Sequence, residues 1–89
     1  MAELNFDELK KKLEKQSWPM IYMFKFIVIS DNHKIALVES LFGDDAEIKM
    51  QPSRNGKYTS ITARQVMLTA DSVIEIYQKA AEIEGIISL

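Results

Sequence analysis

Eighty-nine residues make one domain, because a chain of this length cannot enclose two hydrophobic cores. Hydrophobic side chains make up 47% and charged ones 27%, the balance of a globular protein and not of a disordered tail. A net charge of −2 gives polyanions no general attraction, which argues against nucleic acid; the absence of cysteine excludes disulfides, thiolate nucleophiles and sulfur-ligated metals, and fits a reducing, cytoplasmic setting.

The N-terminus, Met1 to Glu8, is acidic and lacks the apolar run of a secretory signal. Asn5 and Glu8 have the spacing of a capping box, and Leu4 and Leu9 that of a hydrophobic staple, so a helix is predicted over about residues 6–16. Phe6, Leu9 and Leu13 share one face, and Lys10, Lys11, Lys12, Glu14 and Lys15 fill the rest, which describes a helix lying on the domain surface. It must end before Pro19, which pushes the preceding residue out of the α region.

Met20 to Ser30 is β-branched, aromatic or Met almost throughout and reads as a long central strand. Lys25 interrupts it, and it has about half the ~20 residues that cross a bilayer as a helix, so no membrane span is expected. Alternation sends Tyr22, Phe24, Phe26 and Val28 to one face and Ile21, Met23, Lys25, Ile27 and Ile29 to the other. Asp31-Asn32 then caps a short helix with apolar positions Ile35, Val38, Leu41 and Phe42, for which Gly43 is the expected stop.

Ile48 and Met50 alternate with Glu47, Lys49 and Gln51 in a second strand, placed at a sheet edge because Pro52 has no N–H for a ladder. Asn55-Gly56 suits a tight hairpin turn. The return strand, Tyr58 to about Gln65, puts Thr59, Ile61 and Ala63 inside and Tyr58, Ser60, Thr62 and Arg64 outside. Thr69, Asp71 and Ser72 are competing caps for a third helix, Ser72 with Glu75 offering a capping box, and Val73, Ile76, Tyr77, Ala80 and Ile83 form its apolar stripe. Gly85 breaks that helix, and Ile86-Ile87-Ser88-Leu89 reads as a last strand.

Behind the leading helix, about 19–89 form the main body, and its order is a split βαβ arrangement: strand, helix, strand, strand, helix, strand. Right-handed crossovers then place two helices on one face of a four-stranded antiparallel sheet, with the first and third strands central. The predicted class is α+β, a ferredoxin-like βαββαβ two-layer sandwich with an extra N-terminal helix.

Three stretches carry a resemblance: Trp18-Pro19 running into Tyr22-Met23-Phe24-Lys25-Phe26, then Pro52 to Ile61, then Ile86-Ile87-Ser88-Leu89. The most specific part is Ser53, Gly56, Tyr58 and Ser60, spaced S-x-x-G-x-Y-x-S between two strands. In these the chain resembles the YbeD-like family of uncharacterised small proteins, from which it departs mainly by its longer N-terminal helix. The resemblance implies a ferredoxin-like fold similar to the ACT regulatory domains, and no established enzyme activity.

Catalytic and metal chemistry find little support. His33 is the lone histidine and sits beside Asp31 in a polar loop, so no metal or cofactor is expected; Ser30, Asp31 and His33 are sequence neighbours without an orienting third element for a triad. The pairs Asp44 with Asp45 and Glu82 with Glu84 fall in polar loops or at helix ends, where solvated charge is the simpler account. An RNA-binding sheet would need aromatics at alternate positions of the third strand, where Tyr58 is followed by Ser60, Thr62 and Arg64. The expected role is non-enzymatic: a regulatory or protein-interaction module.

Two surfaces could serve it. Ile21, Met23, Ile27 and Ile29 surround Lys25 on the strand face away from the helices, and such a patch needs cover. Either the N-terminal helix folds across it, the expectation we favour, or a second copy or another protein docks there. Around the hairpin, Lys25, Arg54 and Lys57 bring positive charge, while Ser53, Tyr58 and Ser60 bring hydroxyls able to hold a small anionic ligand.

Overall fold

The computed structural model of the chain describes residues 6–89, so the capping box and staple built on Leu4 and Asn5 lie outside the described residues. The elements run α1 (Phe6–Glu14), β1 (Met20–Ile29), α2 (Asn32–Glu39), β2 (Glu47–Pro52), β3 (Tyr58–Met67), α3 (Ala70–Ala80) and β4 (Ile87–Ser88). The four strands form one antiparallel sheet in the order β2-β3-β1-β4, the strand order of a ferredoxin-like two-layer sandwich. β2, closed by Pro52, takes an edge as the missing N–H requires.

Register fixes which side chains share a face. β1 and β3 pair along their whole length, from Met20 opposite Met67 to Ile29 opposite Tyr58. Phe24, Phe26, Val28, Thr59, Ile61 and Ala63 point inward and are buried. Tyr22, Phe24, Phe26, Phe42 and Tyr77 then form an aromatic cluster, with Phe24 5.3 Å from both the Phe42 and Tyr77 ring centroids. The stripe foreseen on α3, Val73, Ile76, Tyr77, Ala80 and Ile83, closes the core from above.

Local signals resolve with four differences. Asp31 caps α2, its carboxylate accepting from the His33 and Lys34 N–H groups, but the helix stops at Ser40 and not at Gly43. The Ser40 hydroxyl donates to the Leu37 carbonyl at 2.6 Å, so the side chain competes for backbone groups that would have continued the helix. At α3 the contest among caps goes to Thr69, whose hydroxyl accepts from the Ser72 N–H while the Ser72 hydroxyl accepts from the Thr69 N–H. Glu75 instead pairs with Lys79 one turn on. α3 ends at Ala80, and Gly85, at φ 79°, turns the chain toward β4 instead of stopping the helix. In the hairpin Gly56 alone takes a positive φ, 74°, and its N–H donates to the Ser53 carbonyl. The loop is therefore longer than the two-residue Asn-Gly turn.

The main correction concerns α1. It does not cross the open sheet face but packs beside α3, extending the helical layer. Leu13 is buried in the core cluster and Phe6, Leu9 and Trp18 pack against it; the Trp18 indole N–H donates to the Leu13 carbonyl at 2.8 Å. Lys10 lies 3.1 Å from Asp71 at the start of α3, an exposed pair that orients more than it stabilises. The reason is apolar: the stripe Phe6, Leu9 and Leu13 finds the core edge beside α3, where Leu13 is buried, while the charges of α1 balance, Lys10, Lys11 and Lys12 against Asp7, Glu8 and Glu14.

Candidate functional site

The face of the sheet away from the helices is built by period-2 alternation and by the ladder that holds the strands in step. Ile21 stands opposite Val66, Met23 opposite Arg64, Lys25 opposite Thr62, Ile27 opposite Ser60 and Ile29 opposite Tyr58. β2 adds Glu47, Lys49 and Gln51 beside Arg64, Thr62 and Ser60, and β4 adds Ile87 beside Ile27. The result is an apolar half on β1 and β4 and a polar half on β3 and β2, with Lys25 set inside the apolar half.

Ile21, Met23, Ile29, Val66 and Ile87 are between 47% and 59% exposed, and Ile27 is half-buried. All four residues foreseen for this surface, Ile21, Met23, Ile27 and Ile29, thus share it without cover from the chain's own helices. Val66 and Ile87 were missed. Val66 continues the alternation Ser60, Thr62, Arg64 just past the expected end of the strand, whereas Ile87 acquires its face only through its pairing with Ile27.

The hairpin residues divide. Lys25, Tyr58 and Ser60 stand on the open face, while Ser53 and Arg54 lie in the exposed turn beyond the strand ends. Turn geometry already uses several of the polar groups: the Ser53 hydroxyl donates to the Asn55 side chain and accepts from the Tyr58 N–H, both at 3.0 Å. The Ser60 hydroxyl donates to the Gln51 carbonyl at 3.4 Å, and the Lys57 ammonium lies 5.6 Å from the centre of the Tyr58 ring. Lys25 and Arg54 have no carboxylate partner among the described residues.

Elsewhere, a cleft of about 620 Å³ lies between α2 and the turn after α3, lined by His33, Lys34, Leu37, Lys79, Glu82 and Glu84. Its charges are mixed, and the Lys34 ammonium is held by the Glu84 carbonyl. Among the described residues no group of three His, Cys, Asp or Glu could hold a metal ion, and no buried side-chain polar atom lacks a hydrogen-bond partner. Asp44, Asp45, Glu82 and Glu84 are all exposed. No helix among the described residues is long and apolar enough to cross a membrane.

A family model described as protein of unknown function (DUF493) matches residues 14–89, so the match begins at the last residue of α1 and covers the whole sheet and both later helices. No curated protein and no solved structure matches the chain.

Proposed function

This chain belongs to the DUF493 family, the YbeD family of uncharacterised proteins, and we propose that it works as a non-enzymatic regulatory or protein-interaction module whose working surface is the open face of its sheet. One observation carries the reading: a contiguous set of large apolar side chains stands in water on a rigid, fully paired pair of strands. Exposed apolar side chains scattered singly need no explanation, but a continuous patch marks a place where something binds. Burying one such side chain fully is worth about 1.5–3 kcal/mol, so the patch can support association by a second copy or a separate protein. The absence of cysteine supports a cytoplasmic setting for it.

Site-specific photo-crosslinking in cells tests this. A benzophenone side chain at position 23 is expected to give discrete adducts, and one at Glu75, exposed on α3, none. Adducts of twice the chain mass report a second copy and other masses a separate partner; no adduct from position 23 would sink the proposal.

A second reading, an ACT-like sensor of a small anionic metabolite using Lys25, Ser53, Arg54, Lys57, Tyr58 and Ser60, is supported by the cations without carboxylate partners at one end of the sheet. A ligand that binds only the folded chain raises its melting temperature. In a thermal-shift screen of anionic metabolites, a true ligand should raise Tm by several degrees in wild type and lose its effect in Arg54→Ala. Silence across the screen removes this reading.

A further inference from the structure

From the charge on the open face we propose that its occupant is an acidic amphipathic helix of a partner protein, with two carboxylates one turn apart that meet Lys25 and Arg64. The inference rests on the interaction reading above and specifies the partner's chemistry. Among the described residues, the charged side chains of this face are Lys25, Lys49 and Arg64 against the single carboxylate Glu47. Glu47 stands opposite Arg64 in the register and lies 3.6 Å from Lys49, so one carboxylate is shared among three cations, the face keeps a net positive charge, and neither Lys25 nor Arg64 forms an ion pair among the described residues. The chain as a whole is negative, so the positive sign is local to this surface.

That sign argues against the simplest alternative, a second copy packed face to face. A two-fold interface presents the same patch from both sides. It would enclose Lys25, which is flanked by Met23 and Ile27 along β1, together with its symmetry mate, and would pool six cations of the two faces against two Glu47 carboxylates. Like charges brought together in a desolvated interface cost several kcal/mol. A partner with carboxylates turns the same two residues into attraction.

A helix fits the spacing. Lys25 pairs with Thr62 and Met23 with Arg64, so Lys25 and Arg64 are diagonal neighbours on adjacent strands, about 7 Å apart at their bases. Residues at i and i+4 of a helix are separated by about 5–6 Å, close enough for long flexible side chains to meet both cations at once. Apolar residues on the same helix face would then cover Met23, Ile27 and Ile87.

The test uses the whole chain, labelled with ¹⁵N, and three synthetic amphipathic helices that share one leucine stripe and carry Glu, Gln or Lys at two positions i and i+4 beside it. The expected result is perturbation of the amides of Met23, Lys25, Ile27 and Arg64, with affinity falling in the order Glu, Gln, Lys and roughly tenfold between the extremes in low salt, where screening is weak. The double variant Lys25→Glu/Arg64→Glu, changed only at exposed positions, should invert that order. Binding at this face that ignores the peptide charge overturns the acidic partner while leaving the interaction module standing. Perturbations confined to the helical layer, or tighter binding of a single-stranded oligonucleotide than of the Glu peptide, overturn the proposal as well. No binding at the face by any peptide, together with no crosslink from position 23, overturns both readings.

Discussion

Truncating Phe24 to alanine should cost about 3–5 kcal/mol of folding stability, the range for removing a buried phenylalanine ring. Phe24 is 0% exposed and lies at the centre of the aromatic cluster, with Tyr22, Phe26, Phe42 and Tyr77 all within 6.3 Å of its ring centroid. Rings on both β1 and α3, together with the turn after α2, would have to move to refill the space, and close-packed neighbours relax only partly. A chain of 89 residues carries about 4–13 kcal/mol in total, so the loss takes about a quarter or more of the whole and unfolds the variant at 25 °C where the wild type lies near the lower end. Met23→Ala, one residue away, is the natural control. Its side chain is 59% exposed on the opposite face, and its removal should change stability by less than about 0.5 kcal/mol. Urea unfolding followed by circular dichroism measures both. Equal losses from the two variants would mean that position 23 is packed in the isolated chain, contrary to the face assignment on which the proposed interaction surface depends.

That contrast between neighbouring positions is legible in the sequence. Period 2 in Met20 to Ile29 separates Phe24 from Met23, and one hairpin plus two helical crossovers leave few topologies to choose from. The docking of α1 was not readable. The stripe Phe6, Leu9 and Leu13 says that one side of the helix is buried and nothing about what buries it, since the core beside α3 and the bare sheet face are both apolar. What separates them is the place beside α3 that takes Leu13, which exists only once the sheet and α3 have packed together. Local punctuation misled for a related reason. Gly43 and the Ser72–Glu75 spacing are sound signals on their own, but Ser40 and Thr69 reached the same backbone groups first. At the hairpin, Ser53 and Ser60 look like free donors in the sequence and are partly engaged in the turn and the β2 edge. Lys25 and Arg64 are placed differently: neither forms an ion pair among the described residues, although Glu47 stands opposite Arg64, and this placement, not residue type, makes them candidates for recognition.

Above pH 10 the wild type should lose stability faster than Tyr77→Phe. Tyr77 is 6% exposed, and burial, reinforced by the 3.1 Å hydrogen bond between its hydroxyl and that of Tyr22, pushes its phenol well above the ordinary value of 10.0. The sign follows from proton counting. Once the pH exceeds the unfolded value the unfolded chain gives up the Tyr77 proton while the folded chain keeps it, so the folded state binds more protons and unfolding becomes easier as pH rises. The stabilising contribution is complete below about pH 10 and is lost progressively as pH rises toward the folded value, at no more than about 1.4 kcal/mol per pH unit. Phenylalanine has no proton to lose and removes this component. Near neutral pH the order should be reversed by about 1 kcal/mol, since the variant gives up one hydrogen bond and the half-buried Tyr22 hydroxyl must turn to water. The two stability curves should therefore converge and cross as alkali is added. Urea midpoints at pH 7, 9, 10 and 11 decide the matter. Parallel curves for Tyr77→Phe would mean that the phenol titrates alike in the folded and unfolded chains, and that the core around Phe24 admits the charge of a phenolate.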